Sequence, residues 1–116
     1  MGLSSNPPTK QTSKRLEFML KMTTTEPTSS DPLAWYGLAQ EYRSLERFDE
    51  ALEAFQSLRG RMADYVPQYL MCGQMLEKQG KVEEAREWLK SGIDAARAKR
   101  DTHSLGELES ALEALA

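Results

Sequence analysis

One cysteine, Cys72, and one histidine, His103, are all this 116-residue chain offers of the side chains that most often bind metals or form nucleophilic dyads. A lone thiol excludes an intrachain disulfide. Neither residue has companions at ligand spacing, so no metal site is expected. No apolar run approaches the roughly 20 residues that a membrane helix needs. Residues Met1-Gly2-Leu3-Ser4-Ser5-Asn6 lack the apolar core of a signal peptide, and Asn6 stands where a myristoylation signal requires Ser or Thr. The expected compartment is the cytoplasm, with no membrane partner. A basic face is missing too. Net charge is −3, which argues against nucleic acid. No Gly-rich phosphate loop or nucleophile elbow occurs, so neither a cofactor nor catalysis is expected. No stretch alternates with period two, and no strands are expected.

What is present suits one modest domain. The chain is 40% hydrophobic and 28% charged, a balance that argues against disorder of the whole. Residues 1–30 hold four basic and two acidic residues, a charge of +2. The remainder holds eleven and sixteen, a charge of −5. Residues 1–12, with Pro7 and Pro8, bury almost nothing and are expected to be a disordered tail. Ser13 is a candidate N-cap for a short helix in which Leu16, Met19 and Leu20 share a face. Residues 23–30, β-branched and containing Pro27, are expected to end it.

Asp31-Pro32 restarts the helical pattern as N-cap and first-turn proline. Further helices are expected from Asp31-Pro32 to about Leu45, from Phe48 to Gly60, from Tyr65 to Gly80, from Val82 to Lys99, and from Asp101 onward. Gly80 suits a left-handed C-cap. The central four helices form two hairpins, so internal repetition is the next test. Residues 32–65 align with 66–99 without a gap, at a period of 34. Gln40, Glu50, Ala51, Glu53 and Ser57 are identical to Gln74, Glu84, Ala85, Glu87 and Ser91. Trp35/Tyr69, Arg47/Lys81, Phe48/Val82 and Phe55/Leu89 match in class.

The first repeat reads Trp35-x2-Leu38-Ala39-x2-Tyr42, then Ala51-x3-Phe55. The second reads Tyr69-x2-Cys72-Gly73-x2-Leu76, then Ala85-x3-Leu89. This pattern resembles the tetratricopeptide repeat, in particular a small bacterial-type protein with two repeats and a cap helix at each end. The late proline of that signature is replaced by Ala63 and Arg97. The resemblance implies an all-α solenoid of about six helices. Its parts are a tail (1–12), an N-terminal helix and linker (13–30), two repeats (31–65 and 66–99) and a capping helix (100–116). Small residues (Ala39, Gly73, Ala51, Ala85) permit close helix approach, and large ones (Trp35, Tyr42, Phe55, Tyr69, Leu89) fill the space between hairpins. About three hairpins are needed for a stable stack, which gives both flanking helices a structural task. Leu16, Met19 and Leu20 are expected to cover the first repeat near Trp35 and Leu38, or to be donated to a neighbouring chain.

The resemblance further implies a non-catalytic module that binds a protein or peptide in a concave groove. The corresponding positions are Leu33, Tyr36, Gln40 and Arg43 in the first repeat, and Pro67, Leu70, Gln74 and Glu77 in the second. Family members that grip acidic chaperone tails use Lys, Arg and Asn there. This set carries one Arg and a repelling Glu77, so a neutral or amphipathic segment is the expected ligand. The competing reading is a self-associating domain, a homodimer built through the apolar helix from residue 65 or through the terminal helices.

Three features have plainer explanations than chemistry. Cys72 sits at an apolar repeat position, as buried free cysteines do. His103 and Asp101 stand at a helix start, where a cap is expected. Asp49-Glu50, Glu83-Glu84 and Glu107-Glu109 are assigned to first turns, where negative charge favours the helix dipole. The methionines, Met71 and Met75 among them, serve either as core filling or as surplus apolar surface on the helix from 65 to 79.

Overall fold

The computed structural model describes residues 11–24 and 31–115. Within them lie six helices and no strand: α1 (Lys14–Thr24), α2 (Pro32–Ser44), α3 (Phe48–Arg61), α4 (Pro67–Lys78), α5 (Val82–Ala98) and α6 (Thr102–Ala114). The expected tail falls mostly outside the described residues, as does the linker from 25 to 30. Among the described residues no helix is long and apolar enough to cross a membrane.

Local chemistry sets the helix starts. The Leu16 amide donates to Ser13 Oγ at 3.0 Å. The Leu33 amide donates to Asp31 Oδ1 at 2.9 Å, and Pro32 opens the helix. The Ser104 amide donates to Asp101 Oδ1 at 3.1 Å. Each bond satisfies an amide that has no partner within its helix. The Ser104 hydroxyl and amide hold the Asp101 carboxyl below its ordinary pKa.

α3 and α5 start differently, without a side-chain cap. Each follows a left-handed residue, Glu46 (φ 60°) or Gly80 (φ 80°), one period apart. The next amide reaches back across the turn: Arg47 N to Tyr42 O and Lys81 N to Leu76 O, both at 2.9 Å. The Arg47 and Lys81 carbonyls then accept from Ala51 and Ala85 to begin the following helix. One backbone device thus closes both hairpins.

Two expectations need correction. α1 continues through Thr23 and Thr24, where the sequence suggested a stop. Their hydroxyls donate to the Met19 and Leu20 carbonyls, so these β-branched residues satisfy the helix end instead of breaking it. Glu107 and Glu109 are not in a first turn, because α6 begins at Thr102. They face His103 and Arg97 instead, at 3.7 and 3.6 Å.

The paired helices α2–α3 and α4–α5 pack along their lengths, α1 lies on α2, and α6 lies on α5 and α4. Ala39, Ala51 and Ala85 are fully buried at these seams. At Gly73 a Cβ would stand 2.7 Å from Leu89 Cδ2, so α4 and α5 meet where only glycine fits without a shift. α1 runs antiparallel to α2. Near its start Ser13 Oγ donates to Glu41 Oε2 at 2.9 Å and Arg15 pairs with Glu41 at 3.1 Å. Further along, Met19 lies against Gly37. Leu16 is buried, while Met19 and Leu20 are partly buried against the core.

Aromatic rings fill the junction between the hairpins. Tyr36, Phe55, Trp88 and Tyr69 form a series with centroids 5.8–6.4 Å apart. The Arg59 guanidinium lies 4.7 Å over Trp88 and donates to Ser91 Oγ at 2.9 Å. The residues between α3 and α4 are tied down by α4 itself: Tyr69 Oη donates to the Ala63 carbonyl, and Gln68 Nε2 to the Met62 carbonyl at 2.9 Å. Ala63 replaces the signature's proline, and its carbonyl serves as an anchor. Tyr42, Phe55, Tyr69, Ala85 and Leu89 are buried, as expected. Trp35 is only partly so, with the Arg61 guanidinium 4.4 Å above its ring.

Burial accounts for most of the apolar circumference of α4. Val66, Tyr69, Cys72, Met75 and Leu76 are inside, and Leu70 and Met71 are partly covered. α3, α5 and α6 all pack against this helix, so most of its apolar residues are core, and Leu70 and Met71 remain partly open.

A candidate groove between α4 and α6

α4 and α6 diverge from their shared contact with α5, and an open groove of about 730 Å³ lies between them. Leu70 and Gln74 form the α4 wall, and His103, Gly106, Glu107 and Ser110 are on the α6 side. Leu70 and Gln74 are four residues apart and share a helical stripe. On α6 the small residues Gly106 and Ser110 have the same spacing. Nothing lies within 4 Å of where a Gly106 Cβ would stand, so the helix backbone is open to a ligand there.

A second, more enclosed cavity of about 160 Å³ adjoins it, lined by Tyr36, Pro67, Leu70 and Met71 with Ser104 and Glu107. The Tyr36 ring is held edge-on by Phe55 at 6.4 Å and Tyr65 at 5.4 Å. Burial raises its phenol pKa above the ordinary value, and the Tyr65 phenol adds to the rise. Tyr36 is therefore a neutral, oriented ring with a polar tip, suited to anchoring an apolar group.

The candidate residues divide. Tyr36, Pro67 and Leu70 meet in the small cavity, and Leu70 and Gln74 line the large groove. Leu33, Gln40, Arg43 and Glu77 line neither. Leu33 is exposed, and Arg43 Nε donates to Gln40 Oε1 at 3.0 Å, so these two polar groups satisfy each other. The α6 contribution was missed at the sequence level. Its signal was the small residues Gly106 and Ser110, one turn apart and opposite the Leu105-Leu108-Leu112 stripe.

The groove is mostly neutral and holds one carboxylate. Glu107 lines it, and no Lys or Arg is among the lining residues. His103 is highly exposed and lies 3.7 Å from Glu107. Among the described residues no group of three or more His, Cys, Asp or Glu is placed to hold a metal ion. Cys72 is buried, and burial pushes its thiol well above the ordinary range, so it is a packing residue in an inert setting.

The fold and groove together define a helical-hairpin repeat protein. Residues 33–58, from α2 into α3, match the family model of the tetratricopeptide repeat, which supports assigning the chain to that family. The second hairpin lies outside the match. No curated protein and no solved structure matches the chain.

Proposed function

We propose that the chain is a non-catalytic binding module that holds a protein or peptide segment in the groove between α4 and α6. The observation that carries this reading is the groove itself. It is broad and open to solvent, a form that suits a segment of chain laid along the surface. It adjoins an apolar cavity whose aromatic wall, Tyr36, is fixed by neighbouring rings. Tetratricopeptide repeats generally mediate protein–protein interaction, and a wall of Leu70, Gln74 and Ser110 offers apolar contact with neutral hydrogen bonding. The ligand is a neutral or cationic amphipathic segment. An acidic chaperone tail meets no clamp of cations here and is repelled by Glu107. The lone buried thiol is compatible with the cytoplasm as the compartment.

The test is a selection from a peptide display library, followed by affinity measurements on wild type and on the Tyr36→Ala/Leu70→Ala variant. The double variant should lose tenfold or more in affinity with an unchanged helical circular dichroism signal. A peptide ending in several acidic residues should not bind wild type. Equal affinity in the double variant would place binding elsewhere.

A further inference from the structure

We propose that a cleft between α2 and α3, on the side of Trp35 and Tyr42, receives residues 7–10 of the same chain, with Pro7-Pro8 against the aromatic rings and Lys10 at the α3 carboxylates. The cleft shares no lining residue with the α4–α6 groove, so the inference stands apart from the reading above.

The first observation is the chemistry of the cleft, which has a volume of about 180 Å³. α2 lines it with Trp35, Leu38 and Tyr42, and α3 with Glu50, Glu53 and Ser57. Trp35 and Tyr42 are two helical turns apart on one stripe. Proline-rich segments dock on aromatic-lined surfaces of this kind, because they are already extended and lose little freedom. The Trp35 Nε1 atom is buried without a hydrogen-bond partner among the described residues. An indole N–H can only donate, and a buried one usually finds an acceptor. A proline-rich strand makes no internal hydrogen bonds, so it presents the carbonyl that this indole lacks.

The second observation is the path of the chain, which names the occupant. Arg47 Nη1 donates to the Gln11 carbonyl at 2.6 Å. The same guanidinium binds Glu50 at 2.8 Å and lies 4.9 Å over the Tyr42 ring. Glu50 and Tyr42 line the cleft, so the backbone is pinned at its mouth three residues after Pro8. From Tyr42 to Trp35 the cleft follows seven residues of helix, about 10 Å. The four residues from Gln11 back to Pro7 span about 12 Å when extended, and Pro7-Pro8 favours that form.

The third observation is charge. Lys10 is the sole charged side chain in residues 1–10. Its neighbour Gln11 shares a surface hollow with Glu50. Arg47 balances only one of the two cleft carboxylates, and Glu53 is exposed. The docked segment completes the cover of the first hairpin, where α1 leaves Trp35 partly open.

The experiment is nitrogen-15 NMR of the full chain. Trp35 and Trp88 are its two tryptophans, and Trp35→Phe assigns the indole signals by removing one. Pro7→Ser/Pro8→Ser should shift the Trp35 indole signal and speed its exchange with water about tenfold, with Trp88 unmoved. Lys10→Glu and Glu53→Lys should each move the signal in the same direction, and the two combined should restore it. Added salt should act as Lys10→Glu does. All these positions lie outside the core, and circular dichroism checks that each variant folds. Three results overturn the proposal. A Trp35 signal that ignores the proline variant leaves the cleft without this occupant. A signal that responds to Pro27→Ser instead assigns the contact to the residues before α2. A signal that moves with protein concentration assigns it to the tail of a second copy.

Discussion

The two hairpins carry the same period but divide the work unequally. The first, α2–α3, holds more of the family signature and is the part that matches the family model. The second, α4–α5, departs from the signature at Cys72, Leu76 and Leu89, yet it is the better buried. Trp35 is partly open, whereas its equivalent Tyr69 is only 3% exposed. The reason is position in the stack. α4 is packed by α3, α5 and α6, while the face of α2 away from its hairpin is covered by the eleven-residue α1. A repeat's resemblance to its signature and its share of the stability are thus separate quantities.

Matched substitutions sharpen this contrast. The largest difference is expected at the aromatic pair. Tyr69→Ala removes a ring wedged against Trp88 and should cost about 3–4 kcal/mol. Trp35→Ala, at a partly exposed site, should cost about 1–2 kcal/mol despite the larger side chain. Urea unfolding of both variants checks the order. Equal losses would mean that burial does not distinguish the repeats.

Next comes the small-residue seam. Gly73→Ala forces Leu89 to move and should cost about 1–3 kcal/mol. The mirror change in the first hairpin, Ala39→Gly, should cost about 1 kcal/mol through helix propensity. A neutral Gly73→Ala would show that α4 and α5 can separate freely.

The turns should differ in sign. Glu46→Gly relieves a left-handed non-glycine residue and should gain about 0.5–1 kcal/mol, while Gly80→Ala should lose a similar amount. Thermal unfolding reads both, and a loss at Glu46→Gly would contradict the shared turn geometry.

The smallest effect lies beyond both repeats. The native Asp101 carboxyl titrates below its unfolded value, so its contribution is complete above the ordinary carboxylate range. It is lost as pH falls through the lower native value. Asp101→Ala should therefore narrow its gap from wild type in acid, and a gap that is constant with pH would remove the charged cap from the account.

Much of this architecture is legible in sequence because it follows from local rules. Asp31-Pro32, Asp101 and Gly80 mark helix ends by capping chemistry, and the 34-residue register fixes which residues face each other. The same rules miss what depends on three dimensions. Thr23 and Thr24 look like helix breakers until their hydroxyls find the preceding turn. Trp88 lies outside the signature positions, so its place between Phe55, Tyr69 and Arg59 has no sequence marker. The groove positions carried over from the family describe a longer concave surface. In this short stack α6 supplies one wall, which turns attention from Gln40 and Arg43 to Gly106 and Ser110.

Native-state hydrogen exchange resolved by residue tests the central claim most directly. Amides of α4 and α5 should exchange slowest, those of α2 and α3 next, and those of α1 fastest. Slowest exchange in α2 and α3 would contradict it, and would return the stability to the repeat that best matches its family.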